Sequence, residues 1–317
     1  RSGHDIATAE DAVADAYVRA IEAWSECGIP NRPEAWLLTT ARRRMIDIDR
    51  RQNRFLNDSN DSIAGLVDPA HLPDVIPDER LQLMFACAHP AIQVGDRTPL
   101  VLQAVLGVTA EKIASAFLVS PAAMSQRLVR AKQKVRDAGI KLTLPDEEHL
   151  SDRLQTVRES IYAAFSAGDL MVDDAELDLS DESIRLARLL VELLPAQPES
   201  LGLLALLLYI DARRAARRSS DGLYVPLDQQ NAELWNHDQV DQAEKILESA
   251  SRLGRPGRYQ LEAAIQSAHM QRRHGGPTPW DSIVDLYEAL EHCHQATGVR
   301  VARSAAMLQA GRGQEAL

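Results

Sequence analysis

At 317 residues the chain has room for two or three domains, each able to bury its own core. Aromatic residues make up 4% while Ala and Leu abound, which favours helix over sheet. The formal net charge of -11 argues against a stand-alone, non-specific DNA binder, so any nucleic-acid contact must be local or made with a partner that holds the chain at DNA. The longest apolar candidate, residues 201–210, falls short of the roughly 18 apolar residues a membrane span needs. The start carries no secretory signal. Cys27, Cys87 and Cys293 are odd in number and lack CxxC spacing, which argues against a disulfide framework or a structural zinc site. Free thiols in a reducing cytoplasm are the simpler reading.

Residues 8–24, TAEDAVADAYVRAIEAW, place Ala12, Val13, Ala16, Tyr17, Ala20, Ile21 and Trp24 at three- and four-residue steps, the pattern of an amphipathic helix. Thr8 followed by Asp11 resembles a shortened, acidic capping box. Residues 27–33, CGIPNRP, form a loop that cannot extend a helix. A second helix starts near Pro33 and runs through PEAWLLTTARRRMIDIDRR. It carries Arg42, Arg43, Arg44, Arg50, Arg51 and Arg54, six arginines within thirteen residues, against Asp47 and Asp49. Such a run fits a solvated charged face as well as a phosphate-binding one. Trp36, Leu37, Thr40, Ala41, Arg44 and Ile48 share one side, so some arginines are expected near the buried edge. Trp36 itself reads as a core residue ahead of a base-stacking platform.

Polar, Pro-containing composition marks residues 53–77 as a linker. From Asp78, DERLQLMFACAHPAI resumes a helical pattern, and His89 before Pro90 reads as a stop signal rather than a metal ligand paired with Cys87. A helix over about 96–106 is apolar on most sides and is expected to be the core of this small domain.

Thr109 to Arg136, TAEKIASAFLVSPAAMSQRLVRAKQKVR, reads as two short helices joined by a tight turn. Ile113, Phe117, Met124, Leu128 and Val135 give an apolar face at helical spacing, with Ala114 where the helices would touch. Thr109 and Ser120–Pro121 look like helix starts, a hydroxyl to cap free N–H groups and a residue with none to satisfy. The second helix carries Gln126, Arg127, Arg130, Lys132, Lys134 and Arg136. This is the layout of a helix-turn-helix, whose second helix enters the major groove; an ordinary hairpin with a basic, solvated face has the same pattern.

After Gly139 the basic character ends in a short acidic connector, LTLPDEEHL. Helical hairpins follow: LQTVRESIYAAFSAG, SIRLARLLVELL, ESLGLLALLLYIDARRAAR, VDQAEKILESASRL, YQLEAAIQSAHMQ, WDSIVDLYEALEHC and VRVARSAAMLQAG. Small residues at crossing points resemble tetratricopeptide-like stacking, with an irregular period. Residues 219–236, SSDGLYVPLDQQNAELWN, break the array with a long loop of the kind that is often functional. A Gly-rich phosphate loop, HExxH and a nucleophile elbow are absent from the sequence, so no catalytic residue, cofactor or metal site is assigned. His292, Cys293 and His294 are adjacent, but i and i+2 positions do not share a helix face.

In their order, EDAVADAYVRAIEAW, NRPEAWLLTTARRRMIDIDRR and TPLVLQAVLGVTAEKIASAFLVSPAAMSQRLVRAKQKVRDAG resemble the two DNA-binding domains of an extracytoplasmic-function sigma factor. ERLQLMFACAHPAI, SIRLARLLVELLPAQPESLGLLALLLYIDARRAARR, LGRPGRYQLEAAIQSAH and WDSIVDLYEAL are closer still to the subgroup with a C-terminal tetratricopeptide-like extension. The resemblance implies an all-α fold: sigma region 2 over 1–54, a linker over 55–77, sigma region 4 with its helix-turn-helix over 78–141, and the extension over 142–317. It also implies a non-enzymatic, cytoplasmic initiation factor that directs core RNA polymerase to promoter DNA. Glu10, Asp11 and Asp15 would then dock on the clamp coiled coil of the largest polymerase subunit. The loop with Gly28, Asn31 and Arg32 would capture a base flipped from the -10 element, and Arg42, Arg43, Arg44, Arg50 and Arg51 would hold phosphates. Ala122, Ser125, Gln126, Arg127 and Arg130 would face base edges of the -35 element, with Lys132 and Lys134 nearer phosphates.

The family normally has another helix before EDAV, and the chain opens on Arg1 rather than Met, so region 2 is expected to be N-terminally incomplete. Arg43 stands where the family often shows Asn. The extension is expected to pack on the sigma domains in place of a separate anti-sigma protein. Two other readings are a helix-turn-helix regulator that binds an operator without replacing sigma, and a ligand-binding or enzymatic helical protein using the 219–236 loop near His292 and His294.

Overall fold

The computed structural model describes residues 6–30, 32–54, 77–140, 147–170, 179–219 and 221–314. They form thirteen α-helices joined by turns and loops, with no strand among the described residues, the all-α class expected. None of these helices is long and apolar enough to cross a membrane. Residues 55–76, nearly all of the expected linker, lie outside the described residues. The chain divides into two compact units, Arg1–Val157 and Arg158–Leu317, with the division inside helix α7 (Glu147–Leu170).

In the first unit, α1 (Ile6–Cys27) pairs with α2 (Pro33–Arg54). The seam is narrow: Ala12 and Ala16 meet Ala41, with Leu37 and Met45 at its edge. Alanines let two helices approach closely, so a thin stripe is enough to cover the contact. The broader apolar face read from the sequence is therefore split, because Val13, Tyr17 and Ile21 stay 43%, 54% and 73% exposed. Gly28 ends α1 with φ +79°, its N–H donating to the Trp24 carbonyl at 3.0 Å, a turn that a Cβ would strain. Trp24 and Trp36 meet edge to face at 5.5 Å, so Trp36 packs at the seam.

Helix α3 (Pro77–Cys87) runs into a buried stretch, Ala86 to Ala88, and stops at His89–Pro90, where the His89 Nδ1 accepts the Ala91 N–H at 3.1 Å. Helix α4 (Val94–Ala104) buries Pro99, Leu100, Val101 and Leu102. Against it lie α5 (Ala110–Ala116) and α6 (Pro121–Asp137). Both start on the hydroxyls seen in the sequence: Thr109 accepts the Lys112 N–H at 3.4 Å, and Ser120 accepts the Ala123 N–H at 3.3 Å. The inner face of α6 is Met124, Leu128, Ala131 and Val135. The turn between α5 and α6 puts Leu118 at φ +52° with its side chain 93% exposed. A left-handed leucine costs about 1–2 kcal/mol and here gains no burial in return. Leu118→Gly should therefore raise stability by about 0.5–1 kcal/mol, after glycine's own entropy cost, and chemical denaturation would detect it.

The second unit is built around α9 (Pro198–Asp211), whose Leu203 to Tyr209 are all buried. It packs against α8 (Leu179–Leu193), α10 (His237–Arg252) and α11 (Arg258–Met270). A second core joins α11 to α12 (Trp280–Cys293) and α13 (Thr297–Gln309) through Ile265, Ile283, Val284, Leu290, Val299 and Met307. The contact of α9 with α11 is close: an added Cβ on Gly202 would fall 2.6 Å from the Gln260 backbone nitrogen. Glu199 of α9 caps α11, its carboxylate accepting the backbone N–H of Tyr259 at 3.0 Å and of Gln260 at 3.2 Å. These are donors that a helix start leaves unsatisfied. One expected helix is shorter than its hydropathy suggests. The run through DARRAAR leaves the α-helix at Asp211 and turns through a 3-10 segment at Arg214–Ala216, where the buried Arg213 side chain donates to Gln230.

Candidate nucleic-acid interface

With its inner face in the core, α6 presents Ala122, Ser125, Gln126, Val129, Arg130 and Lys134 to solvent. Arg127 does not point outward with them. Its Nε donates to Asp96 Oδ1 at 2.7 Å and its Nη2 to the Gly95 carbonyl at 2.6 Å, which ties α6 to the first turn of α4. An added Cβ at Gly95 would sit 3.3 Å from that guanidinium. Lys132 pairs with Glu10 of α1, so one residue expected at DNA and one expected at polymerase hold each other within the first unit. Their neighbour Cys87 is fully buried; burial, reinforced by the Glu10 carboxylate, pushes its thiol up to about 12. A neutral thiol of this kind is inert.

On α1 and α2, Asp15 lies between Arg19 and Arg44, each at 3.3 Å. Asp11, Arg42 and Arg43 are exposed, as are Gly28 and Arg32 of the preceding loop. Arg44 is the arginine at the buried edge. Asn31 and the side chains of Arg50 and Arg51 lie outside the described residues. Sequence reasoning passed over Asp96 and Val129. Nothing in a linear pattern links Asp96 to Arg127, 31 residues away, whereas Val129 could have been found by its position on the outer face.

In the second unit the 219–236 loop is held from beneath. Arg213 donates to Gln230 Oε1 at 3.4 Å and to Gln266 Oε1 at 2.7 Å, and Gln230 Nε2 donates to the Val225 carbonyl at 2.9 Å. Arg272 donates to the carbonyls of Leu227 and Gln230 and lies 5.9 Å from the Trp235 ring centroid. The loop closes near His269, which meets Trp280 edge to face at 5.4 Å. His292 instead has Nδ1 at 2.7 Å from the Glu288 carbonyl of its own helix. Among the described residues no three His, Cys, Asp or Glu side chains are grouped to hold a metal ion.

Burial holds His269 down to about 4, with the charges of Arg213 and Arg272 acting the same way and Asp228 opposing them. The fold thus favours the neutral imidazole, while the unfolded chain takes up a proton near the ordinary value of about 6.5. Stability from this residue is complete above about pH 6.5 and falls as pH drops toward 4, by about 3 kcal/mol in total. His269→Gln should flatten the lower part of a stability-versus-pH curve followed by thermal unfolding.

Residues 1–55 match the model of Sigma-70 region 2, and residues 153–251 match a family of unknown function, DUF6596. The first match supports a sigma-70-type protein with a sigma-factor-like role in transcription initiation. An uncharacterized protein of Rhizobium meliloti (strain 1021) is 38% identical over 313 residues, covering 94% of this chain and 73% of that protein. The chain belongs to the same family as that protein. No solved structure matches it.

Proposed function

We propose that this chain is an extracytoplasmic-function sigma factor with a tetratricopeptide-like extension. It binds core RNA polymerase in the cytoplasm, directs it to promoters through their -10 and -35 elements, and is not itself an enzyme. The observation that carries this reading is a Sigma-70 region 2 match over residues 1–55 followed by a separate pair of hydroxyl-capped helices, α5 and α6, with a polar and basic outer face. In this reading residues 1–54 are region 2, 78–141 region 4 with its helix-turn-helix, and 142–317 a regulatory extension that takes the place of a separate anti-sigma protein. Asp11 and Asp15, with Glu10, form the polymerase-docking face of α1. Gly28, Asn31 and Arg32 receive the flipped base, and the arginines of α2 hold the displaced strand. On α6, Arg130 and Gln126 face base edges, Lys134 faces phosphate, and Lys132 reaches DNA when its pair with Glu10 opens.

A net charge of -11 is compatible with this work because affinity is shared between polymerase and DNA. An operator-binding regulator that leaves sigma in place would have no use for region 2. The test is reconstitution of the full chain with core polymerase and a library of promoter fragments. Co-elution with core and initiation at a subset of fragments is the expected result. A chain that binds no core, or binds it without starting transcription from any fragment, would refute the reading.

A further inference from the structure

The outer face of α6 holds one side chain that a phosphate-binding or merely solvated helix does not call for. At 100° per residue the buried stripe of Met124, Leu128, Ala131 and Val135 leaves Ala122, Gln126, Val129, Arg130 and Gln133 along the opposite side. Arg127 lies about 110° to one flank of that line and Lys132 about 110° to the other. Both flanking cations are held, Arg127 by Asp96 and Gly95 and Lys132 by Glu10. Along the central line Gln133 donates to the Asp137 carboxylate one turn on at 2.7 Å, which leaves the Gln126 carboxamide and the Arg130 guanidinium around an isopropyl group, with Val129 66% exposed between them.

Each of these groups has a distinct complement on the floor of the major groove. A glutamine carboxamide matches the N6 and N7 edge of adenine, and an arginine matches the O6 and N7 edge of guanine. A branched hydrocarbon matches neither. The one apolar group a base pair presents in that groove is the 5-methyl of thymine. We propose that Val129 reads a thymine 5-methyl group within the -35 element, next to purines read by Gln126 and Arg130. This assignment rests on the sigma-factor reading above and adds to it the base chemistry of one position.

The experiment uses the full chain with core polymerase and a duplex pool randomised across the -35 region. Once bound sequences are selected, each thymine in turn is replaced by deoxyuridine, which removes the methyl group and leaves every hydrogen-bonding edge unchanged. For the natural chain, one such replacement should weaken binding about fourfold, the value of one buried methyl group. Val129→Ala should weaken binding to the thymine duplex to a similar extent and make that single replacement silent. Val129→Thr, which keeps the shape but exchanges a methyl for a hydroxyl, should fall between the two. Alanine is a stronger helix former than valine and Val129 is exposed, so the variant folds, and circular dichroism checks it. If deoxyuridine affects the natural chain and Val129→Ala equally at every position, Val129 does not read a methyl group and the proposal is overturned. If no sequence is enriched in the presence of core polymerase, the sigma-factor reading fails first and takes the proposal with it.

Discussion

Gly202→Ala should destabilise the second unit by about 2–3 kcal/mol, an overpacking cost with no compensating contact. In a unit of this size that corresponds to a melting temperature lower by about 5–10 °C. The added methyl would meet the Gln260 backbone nitrogen at 2.6 Å, its Cγ at 2.7 Å and its Cα at 2.9 Å. A side chain could swing away, but the start of α11 cannot, because the Glu199 carboxylate holds the N–H groups of Tyr259 and Gln260. Relief then requires α9 and α11 to separate, which opens the core around Leu203 and Leu207. Gly257→Ala tests the same joint from the other side, where the new Cβ would lie 2.5 Å from the Glu199 Cδ. That carboxylate can rotate out, so the expected loss is about 1 kcal/mol, the worth of the cap. Gly298→Ala in α13, with open space around it, should be neutral or slightly stabilising. Equal melting curves for Gly202→Ala and Gly298→Ala would show that the α9–α11 joint is looser than its geometry implies.

Arg127 and Arg130 should behave as opposites, although both sit on the same basic helix. Arg127→Ala removes the donor to Asp96 and to the Gly95 carbonyl. The partly buried Asp96 carboxylate loses its partner, while water can replace the donor at the exposed Gly95 carbonyl, and the expected cost is about 1–2 kcal/mol of stability. Arg130 is exposed, so Arg130→Ala should leave denaturation within about 0.5 kcal/mol. On the sigma-factor reading proposed above, its loss should appear at the promoter instead, as about 1–3 kcal/mol of weaker binding with relaxed preference at one base position. Urea unfolding beside quantitative promoter binding by the reconstituted polymerase separates the two effects. Should both variants lose promoter affinity alike with unchanged stability, the Arg127–Asp96 pair would not be the joint that holds α6 to α4.

These contrasts bear on how far a linear pattern reaches. Local chemistry set the caps: Thr109 and Ser120 sit at helix starts because a side-chain oxygen next to free N–H groups needs no distant partner. It set the stop at His89–Pro90 for the same reason. Periodicity misjudged α1, where Val13, Tyr17 and Ile21 satisfy a helical hydrophobic repeat and yet stay in water. A repeat shows which residues could be covered, while the width of the neighbouring helix's contact decides which are. At the candidate interface, charge drew attention to Arg127 and Lys132, but their partners Asp96 and Glu10 come from α4 and α1.

By itself, then, the sequence determined the helical class, the helix starts at Thr109 and Ser120, the stop at His89–Pro90 and the two basic helices, all of which depend on neighbours within a turn or two of the chain. Tertiary structure alone decided which cations on α6 face outward, which thiol is sealed beside the Glu10–Lys132 pair, and why Gly202 must lack a side chain. The physical reason is that packing and ion pairing depend on distance in space, and the residues that meet at these points are separated by tens of positions along the chain.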